Sequence, residues 1–310
     1  MPYAARTPFE WHLRTRTLPL GHRTLIMGIL NVTPDSFSDG GQFYAPNHAP
    51  DAALAHALHL LDSGADILDI GGESTQPHSS PITPEQEQAR ILPVIRAILA
   101  ARPNAILSVD TFHHTTARAA ILAGAEIVND VSGHLWDLDM SATCAQLRCG
   151  VILMHTRGTP QDWPSLPPLH PLLILPNILT GLRDSIYAAR TAGTPSDNIV
   201  LDPGFGFGIL GPDNFAIHAL FHQLHQFGLP ILSGTSRKRF LTQAVANTLT
   251  HTATDSQPSP EALRHATTAS NVAAILSGAH LIRVHEVAPA LAAAAIADAI
   301  LNAIPPQPTP

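Results

Sequence analysis

The chain has 310 residues, of which 45% are apolar and 13% charged, and its formal net charge at pH 7 is −7. This apolar content supplies a large core and excludes disorder of the whole chain, and the acidic balance argues against a nucleic-acid-binding protein, which needs a basic face. The first twenty residues contain no continuous apolar segment of the signal-peptide kind, and no run of about 18 apolar residues predicts a membrane span.

Eight short segments rich in β-branched residues alternate with helical segments along the chain. Their apolar residues are continuous rather than alternating, as is typical of strands covered on both faces. The eight predicted strands are residues 25–32, 65–72, 105–111, 126–133, 150–155, 198–204, 229–236 and 279–287. A helix is predicted over residues 83–103, with Thr83 as the N-cap, Pro84 at the first helical position and Gln86 closing a capping box.

This alternation predicts a single (β/α)8 TIM barrel with an N-terminal extension and inserted loops, although a doubly wound open sheet has the same periodicity. We assign residues 1–24 to an extension packed on or before the barrel, 25–303 to the barrel and 304–310 to a disordered tail. Proline- and threonine-rich stretches at 158–171 and 250–260 are predicted to be inserted loops. Two cysteines, Cys144 and Cys149, are expected to be reduced and buried, and a cytoplasmic location is expected.

Polar residues stand at the C-terminal end of every predicted strand, where barrel enzymes carry their catalytic groups. In chain order these residues are Asn31, Glu73 to Thr75, Asp110, Asn129 with Asp130, His155, Asp202, Ser236 to Lys238, and Arg283 with His285. Polar groups at the ends of all eight strands rarely arise by chance, and their convergence favours the barrel over the open sheet.

The polar set divides into two chemical groups. Lys238, Arg283 and His285 follow the last two strands, where barrels commonly bind phosphate, and they indicate a phosphorylated small molecule rather than a polymer. Asp110, Asn129 and Asp202 suit a nitrogen heterocycle that carries an amino group, because carboxylates and amides accept N–H hydrogen bonds. Taken singly, the basic residues fit a solvated helix start and the acidic ones fit caps or turns.

Two loops add candidate residues. Asp35 and Asp39 follow the first strand, and oxygen donors near phosphates are the usual setting for Mg²⁺. The segment GFGFG (204–208) does not have the spacing of a dinucleotide fingerprint. It is predicted to be a flexible loop over the pocket, with Phe205 and Phe207 as apolar surface.

The order of the motifs resembles the dihydropteroate synthase family over residues 25–287. The motifs are GILNVTPDSFSDGG (28–41), ADILDIGGEST (65–75), SVDT (108–111), IVND (127–130), LDPGFGFG (201–208), SGTSRK (233–238) and RVHEV (283–287). The resemblance implies condensation of 6-hydroxymethyl-7,8-dihydropterin diphosphate with 4-aminobenzoate to 7,8-dihydropteroate and pyrophosphate, in folate synthesis. It also implies Mg²⁺ as cofactor, a homodimer, and sensitivity to sulfonamides.

The resemblance also assigns roles to residues of this chain. Catalysis would fall to Asp110, Lys238, Arg283 and His285. The pterin would be bound by Asp110, Asn129, Met154, Asp202 and Lys238. Diphosphate would be held by Asn31, Arg283 and His285, with Asn31 as the metal ligand. Aminobenzoate would lie among Phe37, Thr75, Pro77, Phe207 and Ser236.

Two positions depart from the family pattern. Gln76 stands where an arginine is expected, and Ile209 follows GFGFG where a lysine is expected. Losing two cations near anionic substrates predicts a raised KM for aminobenzoate unless Arg157, Arg237 or Arg239 compensates. Two other functions stay open: a methyltetrahydrofolate-corrinoid methyltransferase, which has no use for a diphosphate site, and a catalytically silent pterin-binding homologue.

Overall fold

The structure is a computed structural model that describes residues 5–33, 49–73, 81–249 and 258–303. A two-stranded antiparallel hairpin comes first, formed by β1 (Phe9–His12) and β2 (Thr17–Leu20). Eight parallel strands follow: β3 (Leu25–Asn31), β4 (Ile67–Gly71), β5 (Ile106–Asp110), β6 (Ile127–Asp130), β7 (Gly150–Met154), β8 (Ile199–Asp202), β9 (Leu232–Ser233) and β10 (Leu281–Val284).

The eight parallel strands close into a barrel. Each strand from β3 to β8 pairs with the next, and β10 lies between β3 and β9. The circle is completed by a parallel bridge between Leu201 of β8 and Ile231, just before β9. This closure confirms the barrel and excludes the open sheet.

Helices surround the barrel: α1 (Ala49–Asp62), α2 (Pro84–Ala101), α3 (His114–Leu122), α4 (Met140–Leu147), α5 (Pro171–Thr191), α6 (Asn214–Leu220), α7 (Arg239–Leu249), α8 (Pro260–Leu276) and α9 (Val287–Asn302). The predicted start of α2 is confirmed, since Thr83 and Gln86 exchange both hydrogen bonds of a capping box, at 2.9 and 3.3 Å. Both cysteines are free and buried, as expected.

The hairpin packs against the end of the barrel where the strands begin. Trp11 and Leu20 are fully buried there among inward-facing strand residues such as Met27 and Leu281. The indole of Trp11 also donates a hydrogen bond of 2.9 Å to the carbonyl of Asn198. The hairpin therefore closes one end of the barrel, so the opposite end, at the carboxyl ends of the strands, is the open one.

The first predicted inserted loop contains a short 3-10 helix at Trp163–Ser165 before α5 begins at Pro171. Residues 250–257 of the second, and the predicted tail at 304–310, lie outside the described residues. Among the described helices, none combines the length and apolar content needed to cross a bilayer.

Candidate active site

The predicted polar residues meet at the carboxyl ends of the strands. Asp110 ends β5 and lies in register with Asn129 of β6, and Met154 ends β7 in register with Asp202 of β8. Asn129 is itself in register with Ile152, two residues before Met154, so the two pairs lie at successive positions along the strands. All four residues belong to the carboxyl ends of their strands, at the open end of the barrel.

An ion-pair network joins Arg283 to Asp110 and, through Asp69, to Asn129. The guanidinium donates from Nε to Oδ2 of Asp69 at 2.6 Å and from a terminal nitrogen to Oδ2 of Asp110 at 2.5 Å. The amide nitrogen of Asn129 donates to the same Oδ2 of Asp69 at 2.9 Å. Asp69 thus anchors two predicted site residues, although sequence reasoning missed it.

Asp69 is fully buried in the middle of β4, and its Oδ1 atom has no hydrogen-bond partner within the described part of the chain. A buried carboxylate needs a charged or hydrogen-bonding partner, and Arg283 supplies one. The available signal in the sequence was an acidic residue inside the otherwise apolar run ILDIG.

Burial and mutual repulsion shift the pKa values of the acids at this end. Burial, together with the charges of Asp69 and Glu87, raises the pKa of Asp110 to about 7, although Arg283 opposes the shift. Burial also raises the pKa of Asp202 to about 6 against the effect of a hydrogen bond from the Gly204 backbone. Both carboxyl groups are therefore close to gaining a proton near neutral pH.

The two cations of the site respond differently to the same surroundings. Burial lowers the pKa of Lys238 to about 7, partly offset by Asp202, so its ammonium is poised to change charge. Burial also opposes the charge of Arg283, but Asp69 and Asp110 outweigh it and raise the pKa of this guanidinium above its ordinary value. Arg283 is thus the permanent cation of the site.

Lys238 lies over an aromatic ring supplied by the glycine-rich loop. Its Nζ is 3.9 Å from the centroid of Phe207, a cation–π contact. Trp163, from the first inserted loop, forms a T-shaped contact with the same ring, with the centroids 5.2 Å apart. The inserted loop therefore supports an aromatic face next to the cation.

The loop itself is held by a close backbone approach and by one side chain. Gly204 has φ +73°, and a Cβ there would lie 1.8 Å from the His155 carbonyl oxygen, so only glycine fits. Asn214 accepts from the backbone N–H of Gly206 at 2.7 Å and donates to the carbonyls of Ile209 and Gly211, each at 3.0 Å.

At the ends of β3 and β10 lie the remaining predicted diphosphate residues. The Oδ1 atom of Asn31 and the Oδ2 atom of Asp110 both lie within 4 Å of the position that a Cβ on Gly71 would occupy. His285 follows β10 two residues after Arg283 and contacts the hydroxyl of Ser236. The structure thus brings together Asn31, Asp110, Asn129, Met154, Asp202, Phe207, Ser236, Lys238, Arg283 and His285 at one end of the barrel.

Some predicted positions point elsewhere. His155 is buried against α5, where its Nε2 lies 3.1 Å from Oδ1 of Asn177, so its assignment to the open end was wrong. Asp130 instead accepts hydrogen bonds from the backbone of Ser132 and His134, both at 2.8 Å, and holds the turn after β6. Glu73 pairs with His113 at 3.2 Å.

The glycine-rich loop also differs from prediction at two apolar positions. Phe205 is 1% exposed and packs on Phe221 and Phe240 in the core rather than on the pocket. Ile209, one of the two departures from the family pattern, is 4% exposed in the same core. Phe37, Thr75, Pro77 and Gln76, with Asp35 and Asp39, lie outside the described residues.

The chain is similar to known pterin-binding enzymes. The model of the family "Pterin binding enzyme" matches residues 27–285. A dihydropteroate synthase of Bacillus subtilis (strain 168) is 36% identical over 291 residues, which cover 94% of this chain and 93% of the relative.

Two solved structures of Xanthomonas albilineans dihydropteroate synthase are also similar. The structure with 4-aminobenzoic acid is 37% identical with a TM-score of 0.81, and the match covers 96% of this chain and 100% of that one. The complex with 7,8-dihydropteroate is 36% identical with a TM-score of 0.77 at the same coverage of both chains.

Proposed function

The chain belongs to the family of pterin-binding enzymes, and from this premise we propose that it is a dihydropteroate synthase. It condenses 6-hydroxymethyl-7,8-dihydropterin diphosphate with 4-aminobenzoate to form 7,8-dihydropteroate and pyrophosphate. One observation carries the proposal: a group of hydrogen-bond acceptors and a permanent cation share one barrel end, joined through the Asp110–Arg283 ion pair.

The acceptor side of the site suits the amino-bearing edge of a pterin. Asp110 and Asp202 present carboxyl oxygens, and Asn129 donates its amide hydrogen to Asp69, which directs the amide oxygen away from that carboxylate. Gly234 keeps space open beside Asp202, since a Cβ there would lie 3.6 Å from Oδ2 of that carboxylate. Met154 adds an apolar wall for the flat ring.

The cationic side suits the diphosphate. Arg283 has five N–H donors, of which two are engaged by Asp69 and Asp110. Within the described residues the other three have no partner and suit phosphate oxygens. Lys238 adds a second cation beside Phe207. Because an anion raises the pKa of a nearby ammonium, diphosphate binding would favour the charged form of Lys238.

Mg²⁺ fits the same end of the site and forms part of the proposal. Asn31 would hold it through its amide oxygen, because this hard donor is exposed at the end of β3, beside Asp110. When bound with diphosphate, the ion neutralises charge on the leaving group.

Departure of diphosphate leaves positive charge on the pterin methylene, so the transition state resembles a separating cation and anion. The carboxylate form of Asp110 stabilises the developing cation, and Arg283 stabilises the developing anion from the other side of the same ion pair. The amine of 4-aminobenzoate then forms the new C–N bond and releases its proton. Phe207 and Ser236, with Phe37, Thr75 and Pro77, are the residues proposed to surround the aminobenzoate.

The test is pyrophosphate release from the dihydropterin diphosphate with Mg²⁺, with and without 4-aminobenzoate. We expect release that depends on aminobenzoate, with dihydropteroate as the product, and a fall in kcat of about 100-fold in Asp110→Asn. Tight pterin binding without release would instead identify a catalytically silent homologue. Full turnover by Asp110→Asn would remove the electrostatic role given to this carboxyl.

The departures from the family pattern affect the aminobenzoate site in this proposal. Ile209, at the position where the family carries a lysine, is packed in the hydrophobic core. Gln76 then carries the expected rise in aminobenzoate KM, and Gln76→Arg should lower that KM. Sulfonamides, which resemble aminobenzoate, should compete with it at the same site.

We also propose a homodimer that buries the outer face of α9. This face is apolar, with Ala292, Ala295 and Ala299 exposed beside Ile296, at 62% exposure, and Ile300, at 39%. The single charged residue of α9, Asp298, is buried instead. Sedimentation should show a dimer that Ile296→Glu converts to a monomer, and a monomeric wild-type chain would contradict this arrangement.

A further inference from the structure

The hydroxyl of Ser236 contacts His285 at two points. Its Oγ atom accepts a hydrogen bond from the backbone N–H of His285 at 3.2 Å and lies 3.0 Å from Nδ1 of the imidazole. Ser236 is 7% exposed, so water does not substitute freely for either contact. One hydroxyl therefore fixes both the backbone and the ring orientation of His285.

The hydrogen bonds of the Ser236 hydroxyl determine which ring nitrogen of His285 carries a hydrogen. A serine hydroxyl has one hydrogen and two lone pairs, and one lone pair accepts the His285 N–H. Within the described part of the chain, Oγ forms hydrogen bonds with these two atoms of His285 alone. If Nδ1 carried a hydrogen, the hydroxyl hydrogen would be buried without an acceptor, which is unfavourable. The hydroxyl therefore donates to Nδ1.

The charge around the ring agrees with a neutral imidazole. Burial, together with the nearby cations Arg237, Arg283 and Lys238, lowers the pKa of His285 to about 3. A neutral ring whose Nδ1 accepts a hydrogen bond carries its one hydrogen on Nε2.

We propose that Ser236 is a positioning residue that holds His285 as the neutral Nε2–H tautomer, so that this N–H donates a hydrogen bond to the leaving diphosphate. The identity of the acceptor rests on the proposed function, whereas the tautomer does not. His285 follows β10 directly and contacts Ser236, while Arg283 in β10 pairs with Asp69 and Asp110, so both residues belong to the same end of the barrel. In this state neither nitrogen takes a proton directly from the attacking amine, because Nε2 already carries a hydrogen and the Ser236 hydroxyl occupies Nδ1.

The tautomer is measured directly by long-range proton–nitrogen NMR correlation on the free enzyme labelled with ¹⁵N-histidine. The signal of His285 is assigned by its loss in His285→Gln. In the wild type, Nδ1 should give the shift of an unprotonated nitrogen and Nε2 that of a protonated one. In Ser236→Ala, the two shifts should move toward each other as the tautomers interconvert. A protonated Nδ1 in the wild type would overturn the proposal.

Ser233→Ala is the matched control, because Ser233 is also buried near the strand end, and its hydroxyl has no hydrogen-bond partner among the described residues. This variant should leave the His285 shifts unchanged. Ser236→Thr keeps a hydroxyl at the same point and should restore the wild-type shifts. A Ser233→Ala spectrum that matches Ser236→Ala would show that general loosening, rather than this contact, moves the tautomer.

Kinetics separate positioning from substrate contact. Ser236→Ala should lower kcat about 10-fold, the usual scale for losing the group that orients a functional histidine, in addition to any change in the aminobenzoate KM that follows from its place beside that substrate. Glutamine reaches the Nε2 position with an N–H donor and asparagine reaches only Nδ1, so His285→Gln should keep about 10-fold more activity than His285→Asn. The reverse order, or a Ser236→Ala defect confined to aminobenzoate KM, would overturn the proposal. Because the NMR measurement needs no substrate, failure of the synthase assay would leave the tautomer result standing.

Discussion

At the scale of single residues, Asp69 determines how the site is assembled. Its Oδ2 atom accepts from both Asn129 and Arg283, so asparagine keeps an acceptor oxygen at that point but removes the charge that faces Arg283. We expect Asp69→Asn to lower kcat/KM about 100-fold, because a buried guanidinium loses one of its two carboxylate partners.

Measurement of kcat/KM and of the free energy of unfolding for the same samples checks this prediction. Asp66→Asn is the matched control, since Asp66 also pairs with an arginine, Arg23, but stands at the start of β4, away from the open end. The control should lose stability without losing activity per folded molecule. Equal activity losses in both variants would contradict the specific role of Asp69.

Glu87 gives a pH dependence at the same scale. It is fully buried in α2, accepts from the Thr111 hydroxyl at 2.8 Å, and its pKa is raised by burial to about 7. Between about pH 4.5 and about pH 7, the folded chain keeps the proton of Glu87 and the unfolded chain has lost it. The stability that protonated Glu87 contributes is therefore fully present below about pH 4.5 and is lost as the pH rises through about 7.

Glu87→Gln keeps an acceptor for Thr111 and cannot ionise. The loss of unfolding free energy between about pH 5 and about pH 8 should therefore be smaller than in the wild type, by on the order of 2 kcal/mol. Urea unfolding at both pH values measures the difference. Glu85→Gln, a fully exposed change in the same helical turn, is the control. An unchanged pH dependence in Glu87→Gln would show that other groups cause it.

Residue identity predicted the chemistry of the site better than its geometry. The sequence predicted three site residues from their positions at strand ends: Asp110, Asn129 and Asp202. Asp69 lies in the middle of its strand instead, and only its hydrogen-bond partners identify its role. Similarly, Met154 faces inward in register with Asp202, so the next residue, His155, faces outward. A shift of one residue along the strand decides which side chain faces the barrel interior. A strand whose apolar residues are continuous has no alternation that would reveal this.

At the scale of elements, the loop after β8 depends on a side chain from the helix that follows it. Asn214, at the start of α6, forms three hydrogen bonds to the loop backbone and is 1% exposed. Asn214→Ala leaves those backbone groups unpaired and loosens the loop that carries Phe207. We expect a loss of about 1–3 kcal/mol in stability and a rise in aminobenzoate KM of at least about three-fold.

Thermal unfolding and steady-state kinetics of Asn214→Ala test this coupling. Pro212→Ala, an exposed change in the preceding 3-10 helix, is the control and should leave KM unchanged. If Asn214→Ala lost stability with an unchanged KM, the side chain would hold the fold of the loop without holding the substrate contact.

The positions of the barrel strands were predicted more completely than the packing of the loop side chains between them. All eight barrel strands lie inside the predicted segments, because β-branched apolar runs bounded by turns are a strong local signal. The burial of Phe205 was not predictable in the same way. The directions of the side chains in a glycine-rich loop depend on its positive φ angles, which only the structure shows. Local pattern fixes the elements, and tertiary contacts fix which loop side chains reach the site.

At the scale of the whole molecule, stability and chemistry occupy opposite ends of the barrel. The hairpin residues Trp11 and Leu13 fill the end where the strands begin, and a Cβ on Gly150 would lie 2.6 Å from Leu13 and 3.3 Å from the Trp11 ring. This glycine at the start of β7 makes room for the hairpin. A substitution in the hairpin should therefore lower the stability of the fold without changing the activity of the candidate active site.

Trp11→Ala removes a fully buried indole and its hydrogen bond to Asn198, so we expect the free energy of unfolding to fall by about 3–5 kcal/mol. Trp11→Phe keeps most of the packing and should cost less. Because the site lies at the other end, kcat per folded molecule and the pterin affinity should both match the wild type below the unfolding transition. Urea unfolding and active-site titration on the same samples separate the two quantities. A fall in kcat that parallels the loss of stability would mean that the hairpin sets the spacing of the strands at the open end, and the two ends could no longer be treated as independent.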